Sequence, residues 1–314
     1  MRLLLTFSLF CISLTCFAQE QIFYFKKNGK KVDLKDSADY IRVVQPPDSN
    51  VVFFTVIEFY KNGKLKLTAE SIKDYPFTFQ GEKTTYFENG VKSSVSNYNN
   101  GKLVGFINEF FPNGKPYLVK DPAKEPFSDD KIIANYDSLG KQLVTTGNGY
   151  CKLYDEDFKV LTAEGAVKEG KKDGIWHFRN DGATRVETYA QGTFLEGTHT
   201  TAEGEIVKYT KRESPPEFRG GVQGFTRFLE KSIKYPKLER KNNIQGKVFV
   251  SFVVERNGTI TDVTVVRTPN EALGNEASRV LKLSPPWSPG IQYGRPVRVQ
   301  YTVPINFSLG AGSN

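Results

Sequence analysis

Apolar and polar positions alternate with period two over much of this chain. In RPVRVQYTVPINF (residues 295–307), Val297, Val299, Tyr301, Val303, Ile305 and Phe307 alternate with Arg298, Gln300, Thr302, Pro304 and Asn306. That spacing predicts a strand with one buried and one solvated face. Pro304 has no N–H to give to a ladder, which predicts an edge strand. The helical period enters only nearby. Phe225, Phe228, Leu229 and Ile233 form one face of a short helix that Tyr235-Pro236 stops. Leu273, Ala277, Val280 and Leu281 predict a second helix, capped by Asn270 and ended by Pro285-Pro286. Between them Val248, Val250, Phe252 and Val254 alternate, Asn257-Gly258 turns the chain, and residues 260–267 return it as a hairpin. The order helix, strand, strand, helix, strand predicts a two-layer α+β module. Its three-stranded antiparallel sheet has both helices on one face, and Trp287 anchors the exit loop.

Upstream, an aromatic followed by a tight turn recurs: FKKNGK at Phe25, YKNGKL at Tyr60, FENGVK at Phe87, FPNGKP at Phe111, YDSLGK at Tyr136 and FRNDGA at Phe178. The turn glycines Gly63, Gly90, Gly114 and Gly140 lie 27, 24 and 26 residues apart. Asn-Gly supplies positive φ at both turn centres, so each unit reads as a hairpin. One hairpin cannot bury its aromatic face alone, and the units must stack. Phe106, Phe110, Trp176 and Phe178 are then expected in the core between hairpins. The predicted organisation is a targeting segment at 1–18, a hairpin array at 19–209, a Pro/Gly-rich linker at 210–224 and the two-layer module at 225–310. The fold class is α+β.

Arg2, an apolar run of sixteen residues to Ala18, and small residues before Gln19 describe a cleavable export signal. The run is shorter than the roughly 20 residues that span a bilayer. Cleavage leaves Cys151 as the only cysteine, so no internal disulfide is expected, and Cys151 reads as a half-buried strand residue. The net charge of +8, read as scattered through turns and polar strand faces, suits solubility better than nucleic-acid binding. His177 and His199 are the only histidines, and neither sits in a recognisable catalytic or metal-ligand setting. FRGGVQG follows no strand and lacks a phosphate-binding lysine. No enzyme activity, cofactor or metal is expected.

The hairpin units resemble the bacterial variant of the MORN repeat. The C-terminal module strongly resembles the C-terminal domain of the TonB family, through IKYP, QGKVFVSFVV, ERNGTITDVTVV, ASRVLKLSPPWSPG and GRPVRVQYTVPINF, with PEFRGG as lead-in. The resemblance implies a periplasmic protein that takes a peptide box of outer-membrane TonB-dependent receptors by strand addition, as part of energy-coupled transport. It implies that the peptide pairs with the strand after the second helix, here Val297, Arg298, Val299, Gln300, Tyr301, Thr302 and Val303, with Arg298 and Gln300 tuning partner choice. Were the N-terminal segment retained, the protein would be anchored in the inner membrane and the proton-driven motor there would be a further partner. A transducing member carries a transmembrane helix and a proline-rich spacer, where this chain has an export signal and hairpins. The alternative is an envelope scaffold that uses its repeats, with the module giving a homodimer.

Overall fold

The computed structural model describes residues 20–48, 52–124 and 129–309; the expected export signal lies outside them. The chain divides into two compact units, residues 1–172 and 173–314.

The first unit is an antiparallel meander. Tyr40–Gln45, Phe54–Tyr60, Leu65–Ser71, Phe79–Tyr86, Lys92–Asn99, Lys102–Phe110, Pro116–Asp121 and Lys131–Tyr136 each pair with the next. The repeat spacing has a direct structural basis at the turns. The side-chain oxygens of Asn62, Asn89 and Asn113 accept from the backbone N–H two residues on, at 3.0, 2.9 and 3.0 Å, closing each turn. Their Nδ2 atoms donate to the carbonyls of Glu88, Pro112 and Ser138 in the following turn, at 3.2, 2.8 and 2.9 Å. One amide thus holds its own hairpin and the next, a task that needs a donor and an acceptor on one short side chain. Below the turns, Val56, Leu67 and Ala69 form an apolar core against Phe77 and Phe79. The carboxylate of Glu58 is buried but bonded to Arg42 and Lys66.

Of the four aromatics expected in the core, Trp176 is fully buried, and Phe110 and Phe178 are partly so. Phe106 is a correction, being 48 % exposed. Val95 pairs with Asn108 and Asn97 with Val104, so residues 105–107 face Ser96 alone. That bulge, with Gly105 at φ +70°, turns Phe106 off the buried face. Cys151 is buried rather than half-buried. Burial pushes its thiol up to about 12, against a smaller opposing pull from Lys172, which leaves no thiolate for nucleophilic chemistry.

A four-stranded meander follows, Lys171–Asn180, Ala183–Ala190, Thr193–Thr200 and Ile206–Tyr209, all but the first two residues of which belong to the second unit. The C-terminal module follows: β1 (Glu213–Ser214), α1 (Gly221–Ser232), α2 (Lys237–Lys241), β2 (Gly246–Val254), β3 (Ile260–Arg267), α3 (Glu271–Lys282), β4 (Gly290–Gln292), β5 (Arg295–Val297) and β6 (Val299–Phe307). Its sheet is antiparallel in the order β3-β2-β6. Phe225, Phe228 and Leu229 of α1 and Leu273, Ala277 and Leu281 of α3 pack into one core with Val248, Val250, Phe252, Val254, Val303, Ile305 and Phe307. Both helices therefore cover the same face. Asn270 caps α3 by accepting from the Leu273 N–H at 3.0 Å. Trp287 is buried among the rings of Phe218, Phe225, Phe252 and Tyr301, with centroids 5.3–6.1 Å apart.

The stretch 210–224, expected as a linker, is ordered against the module. Glu213 and Ser214 pair with Gln292 and Ile291, Glu217 bridges to Ser288, and Phe218 enters the core.

Candidate functional site: the outer edge of the last strand

β6 pairs with β2 in nine consecutive residue pairs without a bulge, from Val299↔Val254 to Phe307↔Gly246. β3 occupies the far side of β2. Among the described residues the other edge of β6 carries no strand. Alternation along β6 follows the sequence: Val303, Ile305 and Phe307 are buried, while Gln300, Thr302, Pro304 and Asn306 are exposed.

A groove of about 1330 Å³ runs along that edge. Tyr301, Thr302, Val303, Pro304, Asn306 and Phe307 form one side of it. Val222, Phe225 and Leu229 of α1, with Ile233 just past its end, form the other, and Trp287 lies between them. Four charged side chains reach the groove, Lys211 and Arg240 against Glu217 and Glu230.

The seven expected binding residues divide at Val299. Val297 lies in β5, opposite Gly290 of β4. Arg298 falls between strands. Its guanidinium reaches Glu255 at 2.9 Å and Asp262 at 2.6 Å. The Thr261 hydroxyl and then Arg298 hold the Glu255 carboxyl below its ordinary range. Gln300 donates to Ser251 Oγ at 3.0 Å. The two side chains expected to tune partner choice thus have partners inside the module. At Val299 the edge is crowded: a Cβ on Gly290 would lie 2.5 Å from Val299 Cγ2 and 3.4 Å from Pro216. The groove begins at Tyr301 and continues past Pro304 to residue 308. Tyr301, Thr302 and Val303 lie on it, and the remainder of the accessible stretch lies after them.

Sequence reading missed two parts of this site. Helix α1 begins at Gly221 rather than Phe225, which brings Val222 into the groove wall. The β4–β5 hairpin was also missed. Its turn, Tyr293-Gly294, has φ of +49° and +77°, the geometry of a two-residue hairpin loop. Tyrosine is unusual there, and its surroundings account for it. Its N–H donates to Arg212 O at 2.6 Å. The ring packs 5.8 Å from Tyr209 and 6.3 Å from His199, and the Arg185 guanidinium lies 3.9 Å from its centroid. Beneath it the buried carboxylate of Glu187 accepts from the hydroxyls of Tyr189 and Tyr209. Gly294 sits so close to the last hairpin that a Cβ would come within 2.7 Å of Val207 Cγ1. Arg295 adds an ion pair to Glu205 at 3.4 Å. The turn clamps the module to the hairpin Thr193–Thr200 and Ile206–Tyr209, and β5 leads from the clamp into β6.

The charge is not spread evenly along the chain. Residues 1–209 carry 27 Lys and Arg against 27 Asp and Glu, whereas residues 210–314 carry 16 against 8. The whole excess of +8 belongs to the C-terminal part.

Residues 231–309 match the family described as Gram-negative bacterial TonB protein C-terminal. Two solved structures are similar, both NMR solution structures of the Helicobacter pylori TonB-CTD. One spans residues 194–285 of that protein, is 26% identical, covers 29% of this chain and 96% of that one, and has a TM-score of 0.24. The other spans residues 179–285, is 24% identical, covers 29% and 82%, and has the same TM-score of 0.24. No curated protein matches the chain. Among the described residues no helix is long and apolar enough to cross a membrane, and no group of acidic, histidine and cysteine side chains could hold a metal.

Proposed function

With the TonB C-terminal family matched over residues 231–309 as premise, we propose that this protein works in the cell envelope as a periplasmic receptor-docking protein. Its C-terminal module takes an extended peptide of an outer-membrane TonB-dependent receptor by adding it to the outer edge of β6. The hairpin array serves as arm or second docking surface, and the capture contributes to energy-coupled transport across the outer membrane. The observation that carries this reading is the edge itself: β6 is paired on one side, and an open groove follows the other. An unpaired strand edge offers a row of backbone donors and acceptors to a visiting strand.

Pro304 sets the direction of those groups. An edge strand accommodates proline where its nitrogen faces outward. Backbone groups alternate in direction along a strand, so Thr302 and Asn306 then present their N–H and C=O outward with it. The working stretch is 301–307, with one donor missing at Pro304. The clamp at Tyr293 favours the arm reading of the array, because a pull on β6 passes through β5 into the last hairpin.

Capture of outer-membrane receptors by the tagged full chain tests the proposal. Thr302→Pro removes one outward N–H while, by the same geometry that tolerates Pro304, sparing the ladder to β2. Receptors are expected with the native chain and lost with Thr302→Pro. Equal recovery with both would refute strand addition. N-terminal sequencing of the exported protein is expected to begin at Gln19; an intact Met1 would instead favour an anchored transducer.

A further inference from the structure

We infer, on the footing of the strand-addition reading, that the groove selects an extended segment whose side chains alternate apolar and polar, with the apolar ones turned toward α1. The geometry is asymmetric about the edge. A strand added to β6 continues its pleat, so its side chains fall alternately on the helix-covered face and on the solvated face. On the helix-covered side they meet Val222, Phe225 and Leu229, which recur at i, i+3 and i+7 along the groove side of α1, and Ile233 just past its end. On the other side they lie beside Thr302, Pro304 and Asn306, all exposed. Polar groups pressed against α1 would lose water without gaining a partner, whereas apolar groups would lose contact with water on both surfaces.

Val222 is the most telling residue of the wall. It is 83% exposed, at the first turn of a helix whose other apolar residues pack inward. It contributes little to the module's own core, and it lines the groove. Charge does not select the occupant, because the groove-lining charges cancel, Lys211 and Arg240 against Glu217 and Glu230. The module's excess of cations lies elsewhere: Arg227 and Lys231 stand on the side of α1 away from the groove residues, and neither contributes to the lining.

A displayed library of random nine-residue peptides, matching the nine residues of β6, panned against the full chain, provides the probe. Enriched peptides are expected to carry apolar residues at every second position. Val222→Glu, which places a carboxylate in the wall at a helix N-terminus where it does not harm folding, is expected to weaken them about tenfold or more. The melting temperature should stay unchanged. Raising salt from about 0.05 to 0.5 M should move the Kd by less than about threefold, since screening acts mainly on uncancelled charge. Acidic runs without period two, or a steep salt dependence, would overturn the inference, as would native affinity in Val222→Glu. Thr302→Pro separates the two levels. If it abolishes binding while Val222→Glu does not, strand addition stands and the apolar selection falls. If Thr302→Pro binds normally, strand addition itself falls. No enrichment on the full chain removes both.

Discussion

The hairpin array and the C-terminal module solve the same problem, burying one face of an antiparallel sheet, by different means. The array repeats a small solution. Asn62, Asn89 and Asn113 each tie their own loop and the next, and the apolar cluster of Val56, Leu67 and Ala69 beneath is small. The module uses one core, in which two helices cover a three-stranded sheet and Phe252, Leu273, Leu281, Ile305 and Phe307 are almost or fully inaccessible. Fully burying such a side chain contributes about 1.5–3 kcal/mol each. The consequence concerns edges. In the array nearly every strand edge is used by the next hairpin, and the charges balance. In the module a closed core leaves the outer edges of β3 and β6 unpaired among the described residues, the groove following that of β6, and the charge is one-sided. A concentrated core can hold an open edge rigid, whereas a stacked array must use its edges to exist.

The sharpest way to break this comparison is to open the module's core. Phe252→Ala is expected to cost about 3–5 kcal/mol. The protein has two tryptophans; a Trp176→Phe background makes Trp287 the reporter of denaturant unfolding. The change should shift the midpoint of the Trp287 transition and leave the array's far-UV signal in place. A single shared transition for both regions would show that the concentrated core is not independent of the array.

The clamp comes next. Gly294→Ala adds a methyl where φ is +77° and Val207 stands in the way, and is expected to cost about 1–2 kcal/mol. Limited proteolysis should then cut within 210–224, a stretch whose pairing and packing in the native chain are expected to protect it. Unchanged resistance would mean that β1 and Phe218, not the turn, hold the module to the hairpin.

The asparagine ladder gives a smaller effect. Asn89→Ala removes the bond to Pro112 O and the acceptor for the Val91 N–H. A loss of about 1 kcal/mol is expected, read from the array's thermal transition with the module's Trp287 signal unmoved. Equal shifts in both would merge what the comparison separates.

The smallest expected effect depends on pH. Burial first, then Arg295 and Arg185, hold the His199 imidazole below its ordinary range, against weaker opposing contributions from the Tyr293 backbone and Glu205. The unfolded chain therefore binds a proton more readily than the folded one. Stability is fully present above the unfolded value of about 6.5 and is lost as pH falls through the lower folded value. Melting of the second unit should drop between about pH 7 and 5 in the native chain and drop less in His199→Gln. Parallel curves would show that the histidine does not sense acid there.

Period two along residues 299–307, the Asn257-Gly258 turn, the Asn270 cap and the membership of the module's core were all legible, because each rests on contacts within a few residues or on which face of an element is apolar. The turn asparagines were legible as turns. Their second bond was not, because its partner lies about 25 residues away in another copy of the repeat. Phe106 read as core because alternation was assumed to run through Gly105, and one bulge reverses a face. Arg298 and Gln300 read as free because a polar residue in a strand carries no sign of the neighbour it will meet.

By itself the sequence determined which residues turn inward and where the chain turns back; hydrophobic periodicity and turn chemistry are local and cannot be hidden. Only the tertiary structure decided which edge of the last strand stays open, where Gly290 closes it, and that α1 walls the remainder. Those are questions of what arrives from elsewhere in the chain, and alternation along a strand says which face is buried without saying which side is paired.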